Sequence, residues 1–167
     1  MLIGSCHKVW IVIFVHREQR MHKANFPYDV QWTDIDAMKS RRDFSYDELR
    51  FHGLPDLVRS IQSGGQHYVN IIDPGISSTQ PAGSYAPYDE GIKRGIFIKK
   101  ANSDDPIIGK VWPGDTAFPD FTHPNATQWW TDMTAAYHDV VPFDGMWIVR
   151  TVLFTFVICV TIIHSRT

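Results

Sequence analysis

Strand-like and helix-like segments alternate along this chain, and the alternation is the feature that most limits its possible folds. Residues 28–34, 66–73 and 143–148 each have the pattern of a strand. After the first of them, four apolar residues recur at the spacing of one helix face, namely Leu54, Leu57, Val58 and Ile61. Gly64 and Gly65 follow and are expected to end this helix. Strands that alternate with helices predict parallel βα units.

A second helix is predicted before the third strand. Its apolar face is the longest in the chain and comprises Ala126, Trp129, Trp130, Met133, Tyr137, Val140 and Val141. Thr122 or His123, together with Pro124, is expected to start the helix. Pro142 is expected to end it, because proline cannot continue a helix.

The segment between the second strand and this helix is a long loop rich in Gly, Pro, Ser and Tyr. It opens with Pro74 and Gly75. Residues 95–99 and 107–112 are predicted as two short strands within it. The chain has 167 residues, whereas a closed barrel of eight βα units needs about 250. About three units are therefore expected, with a loop that contains a β-hairpin.

Composition excludes several classes of function. The net charge is −2 and the sequence pI is about 6.4, so no nucleic-acid partner is expected. Cys6 and Cys159 are the only cysteines, which excludes a disulfide framework or a thiolate metal site. The eight histidines form no HExxH motif, and the P-loop, GxGxxG and GxSxG motifs are absent. No metal and no cofactor are therefore expected.

Both ends of the chain carry apolar runs that differ from the middle. The run at residues 9–15 lacks a small-residue cleavage site, so it is a poor signal peptide. The run at residues 151–163 would span about 20 Å as a helix, and a membrane helix needs about 20 residues. No membrane partner is expected. The predicted division is an N-terminal segment of residues 1–20, an organised region of residues 21–148, and an apolar tail of residues 149–167.

Carboxylates follow two of the three predicted strands. Asp34 shares a strand face with Val30 and Trp32, and Asp73 shares one with Val69 and Ile71. In a barrel of βα units, the C-terminal ends of the strands carry the active site. The alternative is that each Asp caps the turn after its strand. The alternation of side chains along each strand does not distinguish between these two interpretations.

Asn125, Ala126 and Thr127 form an acceptor sequence for N-linked glycosylation. Such a sequence has a meaning only if the chain enters the secretory pathway. Asn125 is therefore a candidate modification site under that condition.

Several short motifs along the chain together resemble those of a known protein family. They are residues 26–38, 42–44, 73–77, 88–91, 109–114, 116–121 and 142–148, which read FPYDVQWTDIDAM, RDF, DPGIS, YDEG, GKVWPG, TAFPDF and PFDGMWI. In this order and spacing they resemble the catalytic domain of glycoside hydrolase family 31, a family of α-glucosidases. The resemblance covers residues 21–148.

The resemblance implies an α/β fold, a partial (β/α)8 TIM barrel, and a retaining α-glucosidase that removes terminal glucose from maltose- or glycogen-type oligosaccharides. It also implies a lysosomal or secretory location for a full-length member. It assigns Asp34 to hydroxyls of the terminal glucose and Asp73 to the same subsite. The implied walls of that subsite are Ile35, Ile71, Trp112 and Trp147.

The sequence departs from the family at the position of the nucleophile. The family continues after Trp147-Ile148 with an Asp that attacks the substrate, whereas this chain has Val149, and the family's general acid is also absent. No catalytic residue is therefore assigned, and the chain is predicted to be inactive. The alternatives are activity in an assembly that supplies the missing groups, and a non-enzymatic sugar-binding or membrane-associated role. Asn70 is a smaller departure, a polar residue in an apolar strand.

Overall fold

The computed structural model describes residues 16–17 and 19–148, together with the backbone of residues 159–162. Its strands are β1 (Val30–Thr33), β2 (His67–Ile72), β3 (Ile76–Ser77), β4 (Ile108–Val111), β5 (Gly114–Ala117), β6 (Gly145–Ile148) and β7 (Cys159–Ile162). Residues 16–17 and 19–23 are helical. The later helices are α1 (Leu54–Ser63), α2 (Ala86–Arg94) and α3 (Ala126–Val140), and two 3-10 turns lie at Ile35–Ala37 and Lys39–Arg41.

The main sheet has the strand order β1-β2-β6-β7. The first three strands are parallel, with Trp32 opposite Val69 and Val69 opposite Gly145. The backbone of β7 pairs with β6 in the antiparallel direction. Helix α1 connects β1 to β2, and α3 precedes β6, as parallel strands require. The architecture confirms the prediction of an α/β chain that forms part of a (β/α)8 barrel.

One face of the sheet is covered by helices. Alternate residues of each strand point toward this face. Tyr68 and Ile72 of β2 and Met146 of β6 are buried there, and the core they share also contains Phe51, Leu54, Val58, Tyr137, Val141 and Phe143. The hydroxyl oxygens of Tyr68 and Thr33 lie 2.6 Å apart and satisfy each other inside this core. Burial of these side chains is the main source of stability for this part of the chain.

Asn70 also lies on the helix-covered face, since it alternates with Val69 and Ile71. Its amide nitrogen donates to the Ile71 carbonyl over 3.4 Å, and no described residue donates to its buried Oδ1. A buried acceptor without a partner costs about 1–3 kcal/mol. The departure noted in the sequence therefore weakens the strand rather than adding a sugar contact.

The N-terminal ends of the strands are held together by one carboxylate. Asp144 Oδ2 accepts hydrogen bonds from the Tyr68 backbone N–H at 2.8 Å and from Gln62 Nε2 at 3.0 Å. The Asp144 carboxylate also lies 3.5 Å from His67 Nδ1. This end of the sheet serves stability, as is usual in βα barrels.

The long loop contains more structure than the sequence predicted. Strand β4 matches the predicted strand at residues 107–112, and it pairs with β5, which in turn pairs with β3. The predicted strand at residues 95–99 is wrong, because only two isolated bridges form there, Phe97 with Pro119 and Lys99 with Pro106. The helix α2 was not predicted.

Helix α2 has a weak apolar pattern because it makes its closest contact through a glycine. A Cβ on Gly91 would lie 2.4 Å from Cζ of Phe97, so only glycine allows this approach. Phe97 is 4% exposed and stacks on Tyr88 with ring centroids 5.5 Å apart. Because glycine has no side chain, Gly91 does not contribute to the apolar periodicity from which a helix such as α2 could be predicted.

The ends of α1 and α3 are close to those predicted. Gly64 caps α1 and donates its N–H to the Ile61 carbonyl at 3.0 Å. Helix α3 starts at Ala126 rather than at Pro124, and Pro142 follows its end. Val140 does not lie on the buried face of α3, since its side chain is 48% exposed. Among the described helices, none has the length and apolar content needed to cross a membrane.

Candidate functional site

Two carboxylates lie at the same end of the main sheet. Asp34 comes directly after β1, and Asp73 directly after β2. Because β1 and β2 are parallel neighbours, both residues lie at their C-terminal ends, as the strand pattern predicted. Val149, the next residue after β6, lies outside the described residues. This end of the sheet is where βα barrels carry their active sites.

The structure shows that Asp34 caps the turn after its strand, one of the two interpretations that its sequence position left open. Its Oδ1 accepts a hydrogen bond from the Ile35 backbone N–H at 2.6 Å and so caps the 3-10 turn Ile35–Ala37. The side chain of Asp34 is nevertheless exposed. A carboxylate that is fixed by one backbone bond and still open to solvent can accept further hydrogen bonds from a ligand.

Asp73 is buried, with 6% of its surface exposed. Its backbone N–H donates to Asp43 Oδ1 at 2.7 Å. Asp43 is itself 1% exposed, and its carbonyl oxygen accepts a hydrogen bond from the Tyr85 hydroxyl at 3.0 Å. Asp43 therefore fixes the strand end that carries Asp73.

Sequence reasoning missed the role of Asp43, although the residue lies in a quoted motif. Burial raises the pKa of the Asp43 carboxyl well above its usual range and is the largest effect. The hydrogen bond from the Asp73 N–H lowers this pKa by less than burial raises it, and the nearby charge of Asp73 raises it by a still smaller amount. The segment between β1 and α1 shows neither the helical nor the strand periodicity of apolar residues. A carboxylate in such a segment was the one indication that the sequence offered for Asp43.

The raised pKa of Asp43 predicts that mild acid stabilises this chain. The folded state binds the proton more tightly, so this stability is fully present below the unfolded pKa of about 3.9 and is lost as the pH rises through the folded pKa. We expect the urea midpoint to fall as the pH is raised from about 4 towards neutrality. Tryptophan fluorescence at sub-micromolar concentration would measure it. Asp43→Asn should flatten this dependence, whereas Asp36→Asn, which removes an exposed carboxylate, should not. An equal slope in all three proteins contradicts the prediction.

Apolar and aromatic side chains lie beside the two carboxylates. Ile71 lies two residues before Asp73 and is 6% exposed, and it pairs in register with Trp147. The ring of Trp147 packs edge-on against Trp32, with centroids 5.9 Å apart. Trp32 is 40% exposed on this face and was not among the predicted site residues. Ile35 is half-buried in the turn that Asp34 caps.

Trp112 belongs to a different element from the two carboxylates. It lies in the turn between β4 and β5 and is 47% exposed. That hairpin packs closely on Gly75, where an added Cβ would lie 3.0 Å from Cγ2 of Val111 and 3.1 Å from Cγ2 of Thr116. Gly75 follows Asp73 by two residues. The close approach therefore holds the Trp112 hairpin next to the C-terminal end of β2.

The described part of the chain contains no candidate metal site. Among residues 16–17 and 19–148, no three His, Cys, Asp or Glu side chains come together in a way that could hold a metal ion.

The sequence matches the family model described as the glycosyl hydrolases family 31 TIM-barrel domain over residues 15–153. The chain belongs to glycoside hydrolase family 31. Membership confirms the resemblance carried by the motifs.

The individual family 31 relatives are much longer than this chain. Lysosomal alpha-glucosidase of Rattus norvegicus is 54% identical over 130 residues, which are 78% of this chain and 14% of that protein. Intestinal sucrase-isomaltase of Homo sapiens is 43% identical over 132 residues, which are 78% of this chain and 7% of that protein. The chain thus spans about one seventh of the lysosomal relative.

Part of each of two solved glucosidase structures has the same fold as this chain. The glucosidase II alpha subunit, in its alpha3-Glc2-bound form, superposes with a TM-score of 0.73 at 26% identity, over 81% of this chain and 14% of that one. The family 31 alpha-glucosidase of Bacteroides thetaiotaomicron gives a TM-score of 0.65 at 30% identity, over 80% and 22% of the two chains.

Proposed function

We propose that this chain forms one wall of the glucose-binding site of a retaining α-glucosidase. The observation that carries the proposal is the position of Asp34 and Asp73 at the C-terminal ends of adjacent parallel strands in a family 31 domain. In this proposal both carboxylates accept hydrogen bonds from hydroxyls of a terminal α-linked glucose. The substrates are oligosaccharides of the maltose or glycogen type.

The chemistry of the site suits a sugar. Each glucose hydroxyl that leaves water needs a partner, since an unpaired buried polar group costs about 1–3 kcal/mol. An exposed carboxylate at Asp34 offers such an acceptor without losing its own bond to the Ile35 N–H. The C–H faces of the sugar pack against apolar and aromatic surface, for which Ile35, Ile71, Trp112 and Trp147 are the proposed residues.

The chain by itself is proposed to bind without hydrolysing. A retaining glycosidase uses one carboxylate as nucleophile and a second carboxyl group as acid. Val149 stands where the nucleophile belongs, and no residue of this chain is assigned as the acid. The site is proposed to act in the lysosome or the secretory pathway, as the names of the lysosomal relatives suggest.

A chimeric enzyme tests the proposed role of Asp34. Residues 21–148 would replace the matching segment of the rat lysosomal alpha-glucosidase, which supplies the rest of the barrel. We expect the chimera to hydrolyse maltose. Asp34→Asn should lower kcat/KM about 10- to 100-fold, because a hydrogen bond to a charged group contributes about 1.5–3 kcal/mol.

Asp29→Asn is the matched control, because Asp29 is an exposed carboxylate just before β1, at the opposite end of that strand. Its kcat/KM should stay close to that of the parent chimera. Equal effects of the two substitutions, or full activity of Asp34→Asn, contradict the proposed role.

A further inference from the structure

The sequence contains four asparagines, Asn25, Asn70, Asn102 and Asn125. Only Asn125 is followed at the second position by a serine or threonine, which is Thr127. Whether such a sequence is compatible with a glycan depends on where the folded chain places the asparagine side chain. The hydrolase site described above makes no use of this motif.

The backbone of Asn125 is held on both sides while its side chain is exposed. The Asn125 N–H donates to His123 Nδ1 at 3.2 Å, and its carbonyl accepts from the Trp129 N–H at 3.1 Å. Asn125 occupies the N-cap position of α3, yet its side chain makes no capping bond. Both Asn125 and Thr127 are exposed, whereas Ala126 between them is fully buried. A substituent on the Asn125 amide therefore displaces no hydrogen bond that is seen among the described residues.

The direction of α3 places Asn125 on a defined side of the molecule. The C-terminal end of α3 leads through a short connection into the start of β6, which is parallel to β2. The start of α3 therefore lies at the end of the sheet where the strands finish, with α3 on the outer, helix-covered face. A glycan on Asn125 would therefore begin on the helix-covered side of the sheet.

We infer that Asn125 is a site of N-linked glycosylation when this chain enters the secretory pathway. The donor is an oligosaccharide carried on a lipid diphosphate. Asn125 Nδ2 bonds to the anomeric carbon of that oligosaccharide, and the bond from this carbon to the diphosphate oxygen breaks. The lipid diphosphate leaves with the bonding electron pair, and the amide nitrogen loses one proton. The inference rests on the secretory location in the proposed function but not on the sugar-binding role of Asp34.

Translation of the full chain, fused behind a secretory signal peptide, in the presence of microsomes tests this inference. Only chains protected from added protease are scored, so every scored chain has entered the microsomal lumen. We expect one mobility step that an N-glycanase removes. The step should disappear in Asn125→Gln and Thr127→Val and persist in Thr127→Ser.

A second acceptor sequence, placed at Asn102, serves as a control that the glycosylating enzyme can reach the translocated chain. Asp104→Thr creates an acceptor sequence at Asn102, in an exposed loop where Asp104 is 98% exposed. Combined with Asn125→Gln, it should restore one mobility step. Protected wild-type chains that stay unmodified, while this double variant is modified, overturn the inference. A step that survives Asn125→Gln overturns it as well.

Discussion

The purified chain of 167 residues is expected to release no glucose from maltose. The retaining mechanism needs a carboxylate that forms the glycosyl–enzyme bond and a second group that protonates the leaving oxygen. Position 149 is Val, and Asp34 and Asp73 are proposed to face hydroxyls rather than the anomeric carbon. Reacting atoms must approach to about 3–3.5 Å, so a displaced carboxylate is no substitute. A coupled glucose assay measures the result.

Val149→Asp separates the loss of the nucleophile from the loss of the other groups. This substitution alone is expected to leave the chain inactive, because no acid is supplied. In the chimera, which takes the nucleophile and the acid from the host enzyme, hydrolysis is expected. Glucose release by the chain that is abolished by Asp34→Asn or Asp73→Asn would contradict the account.

The same chain is expected to associate in solution. Within the described residues β1 has a strand partner on one side only, and an unpaired strand edge invites pairing with another chain. Trp32 adds an exposed aromatic ring on the face that other barrel strands would cover. Size-exclusion chromatography with light scattering should therefore show species much larger than the 19.2 kDa monomer.

A pair of lysine substitutions tests whether the open sheet causes this association. Trp32→Lys adds a charge on the open face and should shift the distribution toward monomer. Phe26→Lys also replaces an exposed aromatic residue, 61% exposed, but one that precedes the sheet. It should have little effect. A monomeric parent chain with a sharp, cooperative thermal transition would contradict the prediction that the open sheet causes association.

The sheet could be predicted because its strands and helices carry regular apolar periods. Residues 54–61 repeat at helical spacing and form α1, and the largely apolar run at residues 66–73 forms β2, which is buried from Tyr68 to Ile72. The positions of Asp34 and Asp73 directly after two predicted parallel strands placed both residues at one end of the sheet. Apolar periodicity predicts these elements because the layer that packs against each element determines which of its side chains are buried.

The parts that sequence reasoning missed depend on contacts between distant residues. Helix α2 packs through Gly91 against Phe97, and a glycine leaves no apolar mark. Asp43 acquires its role from a hydrogen bond to Asp73, thirty positions later. The ring centroids of Trp32 and Trp147 lie 5.9 Å apart only because β1 and β6 flank β2 in the sheet. Local patterns hold no information about these pairings.

The central claim is that Asp34 and Asp73 together bind the hydroxyls of a terminal glucose. A crystal structure of the chimera with a glucose-like inhibitor in its site tests this claim most directly. The measurement is the distance from each carboxylate to the hydroxyl oxygens of the sugar. We predict at least one contact of about 2.5–3.0 Å for each residue, the range of an O–H···O hydrogen bond. An inhibitor bound with no hydroxyl within reach of either carboxylate, and Asp34 bonded only to the Ile35 N–H, would contradict it.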